Sequence, residues 1–231
     1  MMKNNSRTAW AIAKTNFRQL IPAYIVTAAF VVIGIYNLIG SLSGLNDKYY
    51  VDMANYLYVL AVLAPIIISA RNFNRIMHLG GNKKAFYWGA ILNYGIIAAV
   101  ISLVVIIFYV LTQAVFGSRL IVYNLVDIFG WWKHGAVIAF VQQFLFLLLV
   151  QVFIHTLTSI QTRPYGWAID GALLAALAVF IPVPELRNVL VGFFNMIIFH
   201  SNIMVQMISC LALLAVSYLL YLPILRRKEI R

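Results

Sequence analysis

The sequence predicts an all-α, polytopic integral membrane protein with six transmembrane helices and both termini in the cytoplasm, and three observations carry that prediction. Hydrophobic residues make up 64% of the 231 residues and charged ones only 10%, a balance far from that of soluble domains. Runs without a formal charge recur at lengths that fit a bilayer, where a charge at the centre costs at least about 2.5 kcal/mol and a crossing needs about 20 residues. Finally, 13 of the 17 lysines and arginines fall on one side of the resulting topology.

The first element is an amphipathic helix over residues 7–19. Trp10, Ala13, Phe17 and Leu20 recur at helical spacing, while Arg7, Lys14 and Arg18 form an adjoining stripe that snorkels to anionic headgroups. The competing reading is a plain extension of the first span, separated from it by Pro22. Residues 1–20 lack the short apolar core and small-residue cleavage site of a signal peptide.

The spans follow as residues 21–42, 54–70, 86–112, 135–157, 165–181 and 203–224. Between the last two, residues 188–225 carry no charge, and a single helix of that length is nearly twice as long as a hydrocarbon core of about 30 Å. The polar trio His200, Ser201 and Asn202 breaks the run. Residues 188–199, after the Pro182-Val183-Pro184 turn, are then a short re-entrant or outer-side helix.

Orientation comes from the cations. Lys3, Arg7, Lys14 and Arg18 precede the first span, Arg71, Arg75, Lys83 and Lys84 join the second to the third, Arg163 joins the fourth to the fifth, and Arg226, Arg227, Lys228 and Arg231 follow the sixth. Lys48, Arg119, Lys133 and Arg187 lie opposite. The positive-inside rule places the richer side in the cytoplasm, which implies a multi-pass protein of a cell membrane, of the bacterial plasma-membrane kind. The net charge of +11 is therefore a topology signal, and scattering over several loops argues against a nucleic-acid partner.

Enzymatic chemistry lacks its groups. Of the six acids, Asp47, Asp52, Asp127, Glu185 and Glu229 fall in loops or tails, which leaves no intramembrane carboxylate pair. His78, His134, His155 and His200 lie far apart without a neighbouring Glu, so no metal-ligand motif forms, and Ser201 beside His200 points another way on a helix. Gly80-Gly81-Asn82-Lys83-Lys84 lacks the spacing and hydroxyl of a phosphate loop, so any ATP is hydrolysed elsewhere. The lone Cys210 forms no intrachain disulfide.

The loop over residues 71–87 carries the functional signal. Phe73, Ile76 and Met77 give a short helix one apolar face, and Gly80-Gly81 ends it through a left-handed cap. A partner's groove would receive that face while Arg71, Arg75, Lys83 and Lys84 orient it against an acidic surface, whereas the plainer reading is a basic connector.

The run Leu79-Gly80-Gly81-Asn82-Lys83-Lys84-Ala85-Phe86-Tyr87-Trp88-Gly89 resembles the corresponding stretch of ABC-2-type exporter membrane subunits. The resemblance implies an amphipathic connecting helix before the first span, a coupling helix over residues 72–80, and short outer helices between the last two spans. It also implies a coupling contact through Phe73, Asn74, Arg75, Ile76, Met77, Leu79, Lys83 and Lys84. A separate cytosolic ATPase holding ATP and Mg, and a second membrane subunit, identical or related, are implied by the family. This chain itself then binds no cofactor or metal. The cargo is expected to be amphipathic, possible peptides included, because the spans offer apolar surface and few fixed charges.

Polar residues inside the spans leave alternatives open. Gln143, Gln151 and His155 recur at multiples of four, so their stripe should avoid lipid and either bridge helices or line a path. Asp170, the one acid inside a span, either pairs with Arg163 or Arg71 or titrates as in a proton- or ion-coupled carrier. A carrier using Asp170 and His155 is one rival to the exporter. A non-transporting membrane scaffold or immunity protein is the other. Trp131, Trp132, Tyr49 and Tyr50 suit an outer aromatic belt, and Gly40 with Gly44 suits close helix contact.

Overall fold

The computed structural model describes residues 2–44, 49–117, 119–161 and 164–228. Among them, five helices are long and apolar enough to cross a membrane: Ile21–Leu42, Met53–His78, Lys83–Phe116, Ala136–Ile160 and Ile203–Leu225. The chain is thus mostly helical, with five to six apolar helices able to span a membrane, consistent with a multi-pass membrane protein.

The N-terminal helix α1 (Met2–Gln19) gives way at Leu20 to α2 (Ile21–Leu42), whose first turn accepts Pro22 because that N–H has no intrahelical partner. The seam of α1 is made by Ala9, Ile12, Ala13, Asn16 and Leu20, all buried, whereas Trp10 is 56% exposed. The seam shares Ala13 and Leu20 with the expected stripe, and Phe17 packs half-buried beside it, but it is turned toward Ala9, Ile12 and Asn16 and away from Trp10. The cause is close approach to the third crossing: a Cβ on Gly89 would lie 2.8 Å from Ile12 Cγ2 and 3.0 Å from the Ala9 carbonyl oxygen.

The second crossing is one nearly continuous rod. A tight turn at Met53–Leu57 leads into α3 (Tyr58–Ile67), a widened turn spans Ile68–Asn72, and α4 (Phe73–His78) follows without a break. The segment expected as a separate coupling helix over residues 72–80 is thus the end of this rod. Pro65 sits inside α3, and the widened turn carries the Phe73 N–H to the Ile68 carbonyl, five residues back. Gly80 at φ +80° then allows a left-handed cap, in which Gly81 N–H reaches Ile76 O at 2.9 Å and Gly80 N–H reaches Met77 O at 3.0 Å.

The third crossing, α5 (Lys83–Phe116), starts where the Asn82 side chain accepts from Lys84 N–H, and at 34 residues it outruns the expected 86–112 at both ends. Its inward face packs Phe86, Tyr94, Ile101 and Val105 into a core shared with Leu147 and Val152 of α7 (Ala136–Ile160).

At the end opposite α1, the all-α expectation needs correction. Strand β1 (Tyr49–Val51) pairs in parallel with β2 (Ile121–Tyr123), register Tyr50 to Val122. Each strand runs into a polar cap: Asp52 accepts from Ala54 N–H, and Asn124 from Val126 N–H in α6 (Leu125–Ile128). The two caps are joined by Asn124 Nδ2 donating to Asp52 Oδ2 at 2.9 Å. Burial raises the Asp52 pKa above the usual carboxylate value, against the pull of these two hydrogen bonds. Tyr50 and Trp131, expected in an aromatic belt, are buried here instead: Tyr50 Oη accepts from Met53 N–H, and Trp131 Nε1 donates to Ile198 O. On α2 Gly34 comes close to Tyr56 and Gly40 is buried, while Gly44 at φ +74° serves the turn after the helix.

After the fourth crossing comes a bent pair of helices, where the sequence predicts a span over residues 165–181 and a short re-entrant or outer-side helix over 188–199. Helix α8 (Pro164–Phe180) is followed by α9 (Pro184–Phe194) and a widened turn at Asn195–Phe199, with a bend of 115° between the two arms. The pair is a broken span or a re-entrant hairpin, set by the prolines at 182 and 184. The last helix, α10 (Ile203–Arg227), begins with Asn202 accepting from Met204 N–H and returns to the end where α1 lies.

Candidate functional site

The end of the molecule that carries α1, α4 and the last turn of α10 gathers the basic loop residues. Sequence spacing makes one face of α4 apolar, and the fold spends that face internally. Phe73, Ile76 and Met77 are all buried in this chain's own core, with Phe73 edge-on to Phe86 at 5.2 Å. The expectation that these three anchor a partner is corrected: they anchor α4 to its own bundle, leaving no apolar face free. What α4 and the turns on either side of it present outward is Arg71, Arg75, His78 and Leu79, the last 76% exposed, with Lys84 on the next helix and Asn74 half-buried.

This tip is tied down by polar groups whose signal in the sequence is faint. Three buried asparagines from three elements interlock: Asn72 Nδ2 donates to Asn16 Oδ1 at 3.1 Å, Asn16 Nδ2 to Asn93 Oδ1 at 2.9 Å, and Asn93 Nδ2 to Ala13 O at 3.1 Å. They join α1, the widened turn before α4, and α5. Only Asn93 is a lone amide in an apolar stretch; Asn16 and Asn72 sit among other polar and basic residues, so nothing in their surroundings marks them for burial.

A lysine completes the clamp. Lys228 is buried, its Nζ donating to Ser69 O at 2.7 Å and lying 4.4 Å from the Phe73 ring centroid. Lys83 Nζ in turn donates to Lys228 O at 2.7 Å, and Ser69 Oγ pairs with Ser159 Oγ of α7. Burial pushes the Lys228 amine down to about 8. The widened turn, α5, α7 and the end of α10 thus meet within a few bonds of α4. Counted only as a topology cation, Lys228 gave no hint of this position.

Deeper in the bundle, Gln143, Gln151 and His155 are all buried, as their stripe requires. Gln143 Nε2 donates to Tyr58 Oη at 2.8 Å, Gln151 Nε2 reaches Tyr94 O at 3.4 Å and Leu147 O at 3.3 Å, and His155 Nδ1 pairs with Tyr94 Oη. The His155 ring also stands edge-on to Tyr221 at 4.5 Å. Gln143 Oε1, Gln151 Oε1 and His155 Nε2 have no hydrogen-bond partner among the described residues. Two glutamines outside the expected stripe behave alike: Gln142 Nε2 donates to Gln206 Oε1, and Gln206 Nε2 reaches the Ile197 and Ile198 carbonyls at 3.2 Å. Those carbonyls belong to the widened turn at Asn195–Phe199, so Gln206 seals an irregular piece of backbone beside the start of α10.

Asp170 sits apart from this interior. Its Oδ2 accepts from Gln161 Nε2 at 2.7 Å near the α7–α8 turn, and no ion pair joins it to Arg71 among the described residues. Arg163, the other expected partner, lies outside the described residues, as do Asp47, Lys48, Glu229 and Arg231. Asp170 and His155 are not brought together by any contact of the described residues.

A side cleft of about 640 Å³ opens between α7, α8 and α10, walled by Phe153, Leu157, Ile169, Leu173 and Leu220. Chemically the molecule offers a rigidly rooted basic tip, a polar but closed interior, and an apolar cleft at its flank. Comparison of the chain with protein-family models, with curated proteins and with solved structures finds no match.

Proposed function

We propose that this chain is the membrane subunit of an ATP-driven exporter of the ABC-2 type, working in pairs with separate cytosolic ATPases that hold ATP and Mg. The observation that carries the reading is the rooting of α4. A push on Arg75, His78 and Leu79 cannot be absorbed by a floppy loop, because Phe73, Ile76 and Met77 fix the helix to the core and the asparagine lattice ties it to α1 and α5. A packed junction of this kind converts contact at the tip into tilting of whole spans. An amphipathic cargo, such as a peptide, is supported by the apolar flank cleft, whose walls carry no formal charge.

The ATPase contact is assigned to the exposed set Arg75, Leu79 and Lys84, with Arg71 and His78 beside them. Arg75→Glu combined with Leu79→Asp is expected to abolish copurification of an ATPase subunit while leaving membrane insertion and the detergent elution profile unchanged. Undiminished copurification sinks the assignment. A proton-driven flux by the purified chain alone, lost in Asp170→Asn, would instead make the protein a carrier; failure of both assays would leave the scaffold reading.

A further inference from the structure

The inward face of α7 carries more polar atoms than its neighbours can pair. Gln143, Gln151 and His155 recur at multiples of four, so they share a stripe about 18 Å long, with partners on α3 and α5. All three are at most 2% exposed, yet Gln143 Oε1, Gln151 Oε1 and His155 Nε2 find no hydrogen bond among the described residues. No amide flip or tautomer removes the deficit. Gln151 Nε2 is held by the Tyr94 and Leu147 carbonyls at 3.4 and 3.3 Å, and turning the amide over would set oxygen against oxygen. Turning Gln143 over pairs its oxygen with the Tyr58 hydroxyl and strands its nitrogen instead. Tyr94 Oη occupies His155 Nδ1 in either tautomer, so Nε2 is left over in both.

We propose that this seam is a binding site for ordered water, with a molecule at each of the three atoms. The kind of deficit selects the ligand. Two of the atoms are acceptors that need a donor, and the third donates or accepts according to tautomer. Water does both, whereas a cation serves only acceptors and an anion only a donor. The atoms are also spread too far along α7 for one ion to hold them all. Buried polar groups left unpaired are costly, and internal waters collect where side chains leave such bonds unmade. Ser102 adds a further orphan from the α5 side, fully buried with its hydroxyl unpartnered among the described residues. The site rests on the packing of α7 against α3 and α5 and is independent of the exporter reading.

The test uses the full chain, purified in detergent and equilibrated in water carrying a heavy oxygen isotope. Brief X-ray pulses split water into hydroxyl radicals, which label a buried side chain only where a water molecule lies beside it, and peptide mass spectrometry locates the heavy oxygen. Tyr94 and His155, 1% and 2% exposed, are expected to take up label severalfold faster than Trp131, which is 1% exposed and satisfied by its bond to the Ile198 carbonyl. Gln151→Met keeps the bulk of the side chain but removes the orphaned oxygen, and it should lower the Tyr94 label while leaving that of exposed Trp10 unchanged.

Labelling of Tyr94 and His155 no faster than that of Trp131 overturns the proposal and makes the seam dry. Uptake that rises in step at all three reports opening of the whole bundle and overturns it as well, as does a Tyr94 label unchanged in Gln151→Met. If that variant does not fold, the comparison of Tyr94 and His155 with Trp131 in the parent chain decides alone.

Discussion

Replacing Lys228 by Met tests the clamp at the base of α4. The amine has a pKa of about 8 in the folded chain against an ordinary value of 10.5, because burial disfavours its charge. Between those two values the unfolded chain holds a proton that the folded chain has released, so folding stability rises with pH across the window. The charge-burial penalty is fully present below about pH 8 and gone above about pH 10.5. The shift corresponds to about 3 kcal/mol in total. Lys228→Met deletes the titration, and its melting profile should be flat over that window apart from changes shared with the parent. At neutral pH the variant escapes the penalty but loses the charged hydrogen bond to Ser69 O, worth about 1.5–3 kcal/mol, so the two proteins should melt close together there. The measurement is tryptophan-fluorescence melting of the purified chain in detergent at steps from pH 7.5 to 10.5. Tyr50, pushed up to about 12 by burial, titrates above this window. Parallel profiles for parent and variant would refute the account of a buried, proton-releasing lysine.

Met77→Ala should lower stability by about 2–5 kcal/mol through loss of core packing, read as a lower melting temperature; an unchanged melt would mean that the side chain faces outward. Gly89→Ala places a methyl group against Ile12 and Ala9 and should lift α1 off α5, seen as faster tryptic cleavage at Lys14. Asp52→Asn sets an amide donor against the Asn124 Nδ2 donor and should cost about 1–3 kcal/mol, since Asn124 Oδ1 is already committed to Val126 N–H. With its pKa raised by burial, Asp52 makes the parent gain stability as pH falls through its folded pKa toward the ordinary carboxylate value, and the Asn variant should lack that gain in acid melts.

The crossings were legible because hydrocarbon penalises charge so strongly that charge-free runs and spans nearly coincide, and the ends of α2, α7 and α10 fall within a few residues of those runs. Pro182 and Pro184 likewise mark the break after residues 165–181, but composition does not give the 115° angle of the bend there. Phe73, Ile76 and Met77 show the limit of periodicity: spacing says that a face is apolar and is silent about what covers it. The same holds for Trp131 and Tyr50, whose position near a span end suits a belt as well as a buried anchor. Two strands of three residues each leave too short an alternation to detect. The lattice of Asn16, Asn72 and Asn93 needs three remote segments at once, and Asn16 and Asn72 are lost among the polar and basic residues around them.

The length of α5 has a mechanical consequence. Its 34 residues extend for about 51 Å, well past a hydrocarbon core of about 30 Å, so both tips stand clear of the lipid. Pivoted at mid-membrane, such a strut moves each tip by roughly 4 Å for about 10° of tilt, in opposite directions. A nudge beside Lys83 is thereby felt at Phe116, where the polypeptide turns toward the paired strands, without any rearrangement in between.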